Sequence, residues 1–271
     1  MPALTTTVPH LLRLIGTPEA PVLLDVRAED DRAIDPRLLP ASRCRDHATV
    51  AEWAPNYAGR AVVVACQHGM RISEGVAAAL CQAGASATVL EGGFQAWDDA
   101  GGPLVRPDHM PPRDTWGRTL WVTQAEPKID RVACPWLIRR FVDPEAVFLF
   151  LAPAEVEQVA RRFGATPFDI EGVFWGHRGR DCTFDTMLDE FGLESETLER
   201  MADIVRRAGS GSFDEVPEAA GLLAASLGFS RMYRDDLSQL DAAISLYDAF
   251  YRWSRDVVRA VPAWPALQPP A

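Results

Sequence analysis

The stretch Val62-Val63-Val64-Ala65-Cys66-Gln67-His68-Gly69-Met70-Arg71 decides the reading of the first half of this chain. Its apolar run predicts a short strand buried on both faces. Cys66 ends the strand, a tight loop follows, and a helical pattern runs from Ile72 to Gln82. A cysteine between a strand end and a helix start faces unpaired backbone N–H groups. Together with the helix dipole these favour thiolate over thiol. The predicted chemistry is nucleophilic sulfur. Arg71 is placed to neutralise an anionic substrate or to hold the loop shape.

Outward from this loop, Pro21–Val26 and Ala87–Leu90 read as further buried strands, and Val8–Ile15 and Phe94–Ala100 as helices. Strands alternating with helices predict an α/β fold, a parallel sheet with helices on both faces. Residues 28–47, with Pro36 and Pro40, read as loop. Gly101 to Arg118 is dense in Gly and Pro and predicts a linker.

Beyond it the pattern turns mostly helical, an α+β second domain. Leu120–Thr123 and Val147–Leu151 read as strands. Pro135 suits the first turn of a helix running to Val142. Further helices are expected over Pro153–Phe163, Phe184–Phe191, Ser195 to a stop at Gly209, Pro217 to a stop at Gly228, and Asp236–Arg259. The division is therefore residues 1–106, a linker at 107–118, a second domain at 119–260 and a Pro-rich tail at 261–271. The two halves are expected to fold independently.

The 271 residues suffice for two ordinary domains, and the 48% hydrophobic content is that of a globular protein. A net charge of −11 repels nucleic-acid phosphates, so any bound anion needs a local cationic site. No apolar run is long enough for a membrane span, and the N-terminus lacks the cationic start and apolar core of a secretory signal. Five scattered cysteines fit a reducing compartment, so the protein is expected to be cytoplasmic.

The loop around Cys66 resembles the active-site loop of rhodaneses, the sulfurtransferases. Leu23-Leu24-Asp25-Val26-Arg27 is similar to that family's first core strand with its Asp-x-Arg ending. Ser73 follows Arg71 where many members place a small residue. Val89-Leu90-Glu91-Gly92-Gly93-Phe94-Gln95-Ala96-Trp97 resembles the strand, Gly-Gly turn and aromatic helix start that follow. The segment usual between the first two strands is missing; Arg37-Leu38-Leu39-Pro40-Ala41 is a loose substitute. The resemblance implies a catalytic pair, Cys66 and Arg71, and a substrate-binding loop of Gln67, His68, Gly69 and Met70. Asp25 and Arg27 are then a pair that orients the loop, the alternative being a surface ion pair. Phosphatases and arsenate reductases of this fold have a loop one residue longer. The tighter Cys-x4-Arg cradle suits a single sulfur atom. No cofactor is expected.

The segment Lys128-Ile129-Asp130-Arg131-Val132-Ala133-Cys134-Pro135-Trp136-Leu137-Ile138-Arg139-Arg140-Phe141 is similar to the signature of the C-terminal domain of chromate-resistance protein B. Pro167-Phe168-Asp169, the His177 and Cys182-x-Phe184 segment, Pro217-Glu218-Ala219-x-Gly221-Leu222 and Leu246-Tyr247-Asp248-Ala249-x-Tyr251-x-Trp253 follow in that family's order. This implies an association with chromate. Lys128, Arg131, Arg139 and Arg140 around Cys134 are candidates for an oxyanion pocket, the alternative being a packed thiol among exposed cations. His177 and Cys182 are metal-ligand types but too few for a site alone; Asp181, Asp185 or Cys134 would have to complete it, and no metal is expected.

The function expected is a sulfurtransferase that forms a persulfide on Cys66, with a small anionic sulfur donor and a thiol acceptor, linked to chromate or oxyanion resistance. Two alternatives stand beside it: a non-enzymatic oxyanion sensor, and a thiol-dependent oxyanion reductase using Cys66 and Cys134 together.

Overall fold

The computed structural model describes residues 4–257. The Pro-rich tail and the end of the last helix, expected at Arg259, lie outside the described residues. In the first half a five-stranded parallel sheet has the order β1-β5-β4-β2-β3. Its strands are β1 (Thr5–Thr6), β2 (Val22–Asp25), β3 (Arg43–Cys44), β4 (Ala61–Ala65) and β5 (Ser86–Leu90). The helices are α1 (Val8–Leu14), α2 (Glu29–Ile34), α3 (Val50–Trp53), α4 (Arg71–Gln82) and α5 (Gly93–Asp99). The region 28–47, expected to be loop, contains α2 and the edge strand β3. All three residues of the first turn of α2 are acidic, which complements the helix dipole and lets a short helix form without an apolar stripe.

Successive strand residues point to opposite faces, so each core strand serves two cores. Leu24, Val62, Val64 and Val89 join Val76 and Leu80 of α4 in one buried cluster. Leu23, Val63, Ala65 and Leu90 face the other way, onto Leu11, Phe94 and Trp97. That second cluster does not stop at the linker. It continues through Val105 and Leu104 into Trp121, Trp136, Phe141 and Tyr251 of the second half. Gly16 (φ +78°) lies where a side chain would collide with Phe141 and Tyr251. The backbone N–H of Ala41 donates to the Phe141 carbonyl at 2.6 Å.

The linker is itself tied down. Leu38 and Val105 exchange backbone hydrogen bonds at 2.8 and 2.9 Å, and Arg106 N–H donates to Phe191 O. Arg113 reaches the fully buried Asp143 at 3.2 Å.

In the second half a three-stranded parallel sheet, β7-β6-β8, is formed by β6 (Leu120–Gln124), β7 (Val147–Leu151) and β8 (Thr166–Pro167). Around it lie α6 (Asp130–Leu137), α7 (Pro153–Phe163), α8 (Thr183–Phe191), α9 (Glu196–Ser210), α10 (Glu218–Met232) and α11 (Asp236–Val257). Three boundaries differ from expectation. Helix α6 starts at Asp130, so Pro135 lies inside it, and a π-helical turn over Ile138–Val142 follows directly. An interior proline removes the N–H owed to the Arg131 carbonyl, and the ladder loosens after it. Helix α9 passes through Gly209 and ends at Gly211, whose φ is +73°. Helix α10 passes through Gly228. Glycine inside a helix costs only about 1 kcal/mol; it ends one where the backbone turns left-handed.

Candidate functional site

Cys66 leaves the end of β4 and α4 begins at Arg71, so the loop between them is only four residues long. Gly69 has φ +68°, and a side chain there would collide with Leu90 O and press the Gly93 nitrogen at 2.7 Å. Gly93 has φ +64°, and a side chain there would collide with the Cys66 carbonyl and the Gly69 nitrogen. The Gly-Gly turn and the cysteine loop are therefore packed backbone on backbone. Phe94 N–H donates to Cys66 O at 2.9 Å and Gln95 N–H to Gln67 O at 3.0 Å.

Cys66 is 6% exposed. Its Sγ lies 3.2 Å from the Ser73 hydroxyl and 3.3 Å from Met70 O. Burial pushes this thiol up. The Ser73 hydroxyl and the backbone N–H groups of Ser73, Met70 and His68 outweigh it, and the pKa falls below the ordinary thiol value. A thiolate is stabilised here by dipoles already in place. His68, Met70 and Arg71 are exposed, with Gln67 and Gly69 half-buried. Among the described residues nothing pairs with the Arg71 guanidinium, which leaves it free for an anion. Ser73, read from the sequence only as a small residue, is the thiol's direct side-chain partner; its place two residues into the helix was the signal available.

Asp25 and Arg27 form no surface pair. Both side chains are essentially fully buried, 2.7 Å apart. The Arg27 guanidinium also donates to the Asp35 and Arg37 carbonyls and lies 3.8 Å over the Phe94 ring. It thereby holds α5 and, through the Phe94 N–H, the Cys66 carbonyl. The sequence placed the pair; the stacking on Phe94 was not visible in it.

The cations of the second half do not gather round Cys134. That thiol is wholly buried inside α6, and burial, then Asp130 and Asp169, push its pKa well above the ordinary value. Arg139 pairs with Asp241 at 2.8 Å and Arg140 with Asp248 at 2.8 Å, both acids on α11. Trp136 Nε1 shares Asp248. The expected oxyanion pocket is thus corrected. The helix starts five residues earlier than Pro135 suggested, which buries Cys134 in its middle and turns Arg139 and Arg140 onto α11. A reductase pairing Cys66 with Cys134 loses its second thiol for the same reason.

Lys128 and Arg131 do line a cavity, of about 640 Å³, together with Asp130, Asp169, His177 and Cys182. Arg131 Nε donates to Asp169 Oδ2 at 2.9 Å. Asp130 is 7% exposed. Burial, then the Asp169 charge, push its pKa up to about 6. Burial, then Asp130, raise the Cys182 thiol far from thiolate. Asp185 and Asp181 do not join His177: Asp185 accepts from Cys182 N–H and pairs with Arg206, and Asp181 is bridged to Arg178. The residues beside His177 are Asp130 and Asp169, which the sequence shows within family motifs but does not mark as site residues.

Comparison with known proteins follows this division. Residues 7–100 match the Rhodanese-like domain and residues 121–254 match ChrB, C-terminal domain. Protein ChrB of Cupriavidus metallidurans is 36% identical over 132 residues, covering 48% of this chain and 39% of that protein. The match therefore spans well under half of that relative. A rhodanese-related protein from Thermoplasma volcanium is 25% identical, covering 38% of this chain and 97% of that one, with a TM-score of 0.31. A thiosulfate sulfurtransferase from Pseudomonas aeruginosa is 21% identical, covering 38% of this chain and 19% of that one, with a TM-score of 0.31. No helix among the described residues is long and apolar enough to cross a membrane.

Proposed function

We propose, for a chain that carries a rhodanese-like domain followed by a ChrB C-terminal domain, a sulfurtransferase working through a persulfide on Cys66. The observation that carries this reading is the cradle of donors around one buried Sγ, which lowers its pKa in spite of burial. In the first step the Cys66 thiolate attacks the outer sulfur of thiosulfate. The S–S bond breaks, sulfite leaves with the electron pair, and the sulfane sulfur stays on Cys66 as a persulfide anion. That anion occupies the same N–H donors. In the second step an acceptor thiolate attacks the outer sulfur and Cys66 leaves as thiolate. Arg71 is exposed at the loop's edge and offers a planar cation to the anionic donor. The second half links this chemistry to chromate or another oxyanion, as its resemblance implies.

The test is intact-protein and peptide mass spectrometry after incubation with thiosulfate. An adduct of about 32 Da on Cys66, removed by cyanide and absent in Cys66→Ala, is the expected outcome. Modification of another cysteine, or none with thiosulfate or a low-molecular-weight persulfide, returns the domain to a binding role.

A further inference from the structure

We propose that Asp130, Asp169 and His177 hold a divalent first-row transition metal, a site separate from Cys66 and built wholly within the second half. His177 Nε2 lies 3.2 Å from Asp169 Oδ1 and 4.0 Å from Asp130 Oδ2. All three ligand atoms fall within 4.8 Å of one another. Ligand atoms held about 2.0–2.2 Å from one metal ion are themselves separated by about 3–4 Å. The observed spacing therefore needs no rearrangement of the backbone.

A second observation points the same way. Asp130 is 7% exposed, and its Oδ1 accepts the Phe184 N–H at 3.0 Å, at the start of α8. Its Oδ2 faces His177 Nε2 at 4.0 Å and receives no N–H or O–H hydrogen bond among the described residues; the Cys182 thiol is a weak donor to the same carboxyl. A buried carboxylate oxygen aimed at a second carboxylate calls for a cation between them. A metal ion would satisfy both acids and use the imidazole as a neutral ligand.

The surroundings are those of an oriented ligand set. Thr183 Oγ1 donates to Asp169 Oδ1 at 2.7 Å and Arg131 Nε to Asp169 Oδ2 at 2.9 Å, so the carboxylate is fixed from both oxygens. Gly209 of α9 faces the site: a Cβ built there would lie 3.8 Å from Asp130 Oδ2, in ordinary contact with it. Two carboxylates and one imidazole suit Mn²⁺, Fe²⁺ or Zn²⁺ rather than a thiophilic ion. Three protein ligands facing an open cavity leave coordination positions for water or an exogenous ligand. Lys128 and Arg180 line that cavity as well, cations placed to receive a small anionic ligand beside the metal.

The test uses the full chain without an affinity tag, stripped with chelator and titrated with Mn²⁺, read by electron paramagnetic resonance and calorimetry. Mn²⁺ avoids the thiols, so binding at Cys66 does not interfere. The expected result is one ion per chain, displaced by Zn²⁺, with affinity reduced more than about 10-fold in both His177→Ala and Asp169→Asn. His177 is exposed enough that its variant keeps the fold, and circular dichroism checks this. No uptake at millimolar Mn²⁺ or Zn²⁺, or uptake unchanged in both variants, overturns the proposal and leaves His177–Asp169 as an ion pair.

Discussion

The cysteine loop and the acidic cavity are assembled in opposite ways. The hydrogen-bond partners of Cys66 Sγ all come from residues 66–73, with the Gly-Gly turn behind them. The cavity draws on Asp130, Asp169, His177 and Gly209, brought together from α6, α9 and two loops. Two of the three buried thiols show what this difference does. Cys66 and Cys134 are 6% and 0% exposed. One is lowered and the other raised, because the strand-to-helix turn supplies free N–H donors and the middle of a helix has none. Reactivity here follows donors, not depth.

The comparison breaks most readily on labelling. Iodoacetamide should modify Cys66 with a midpoint below the reference thiol value of about 8.5, since its thiolate persists to lower pH than an ordinary thiol's. Cys134 should stay unlabelled until the protein unfolds, a rate difference of about 100-fold or more. Labelling of Cys134 in the native state would remove the distinction.

An effect on stability is expected at the support of the loop. Arg27→Ala leaves Asp25 charged, buried and alone, which costs about 3–5 kcal/mol. Urea unfolding measures it, and a loss below about 1 kcal/mol would return the pair to the surface-bridge class. Next comes Ser73→Ala. Losing the hydroxyl raises the Cys66 pKa and slows alkylation at neutral pH several-fold, while the fold is kept. An unchanged pH profile would place the whole effect on the backbone N–H groups. The smallest is Arg139→Gln. Its partner Asp241 is 69% exposed, so stability should change by less than about 1 kcal/mol, and sulfate binding, if any, should not change. A clear loss of anion affinity would restore the oxyanion role to that residue.

Legibility followed the same line. The strands β2, β4 and β5 were readable from continuous apolar runs between breakers, and the Cys66 loop from a short motif whose partners lie close in sequence. The Asp25–Arg27 pair was placed correctly, but its burial was not, because Phe94 and the carbonyls of Asp35 and Arg37 reach it only through the fold. Asp130 looked like one acid in a basic segment; nothing local marks it as buried against Asp169, which is 39 positions away. The reading of Pro135 failed because proline marks a first turn only when a better start does not precede it. Asp130, at the head of an apolar stripe, was that start.

The wall of apolar residues running from Leu23 and Val63 through Trp97 to Trp136 and Tyr251 has a practical side. A fragment cut at residue 106 would keep the whole cysteine loop and its Gly-Gly support. It would also bare the side of that cluster which meets Trp136, Phe141 and Tyr251, leaving an adhesive patch. Such a piece is expected to need detergent, a fusion partner or its own copies to stay in solution, even with the whole cysteine loop in place. Trypsin, with Arg106, Arg113 and Arg118 as targets, would then release two sticky halves in place of two stable ones.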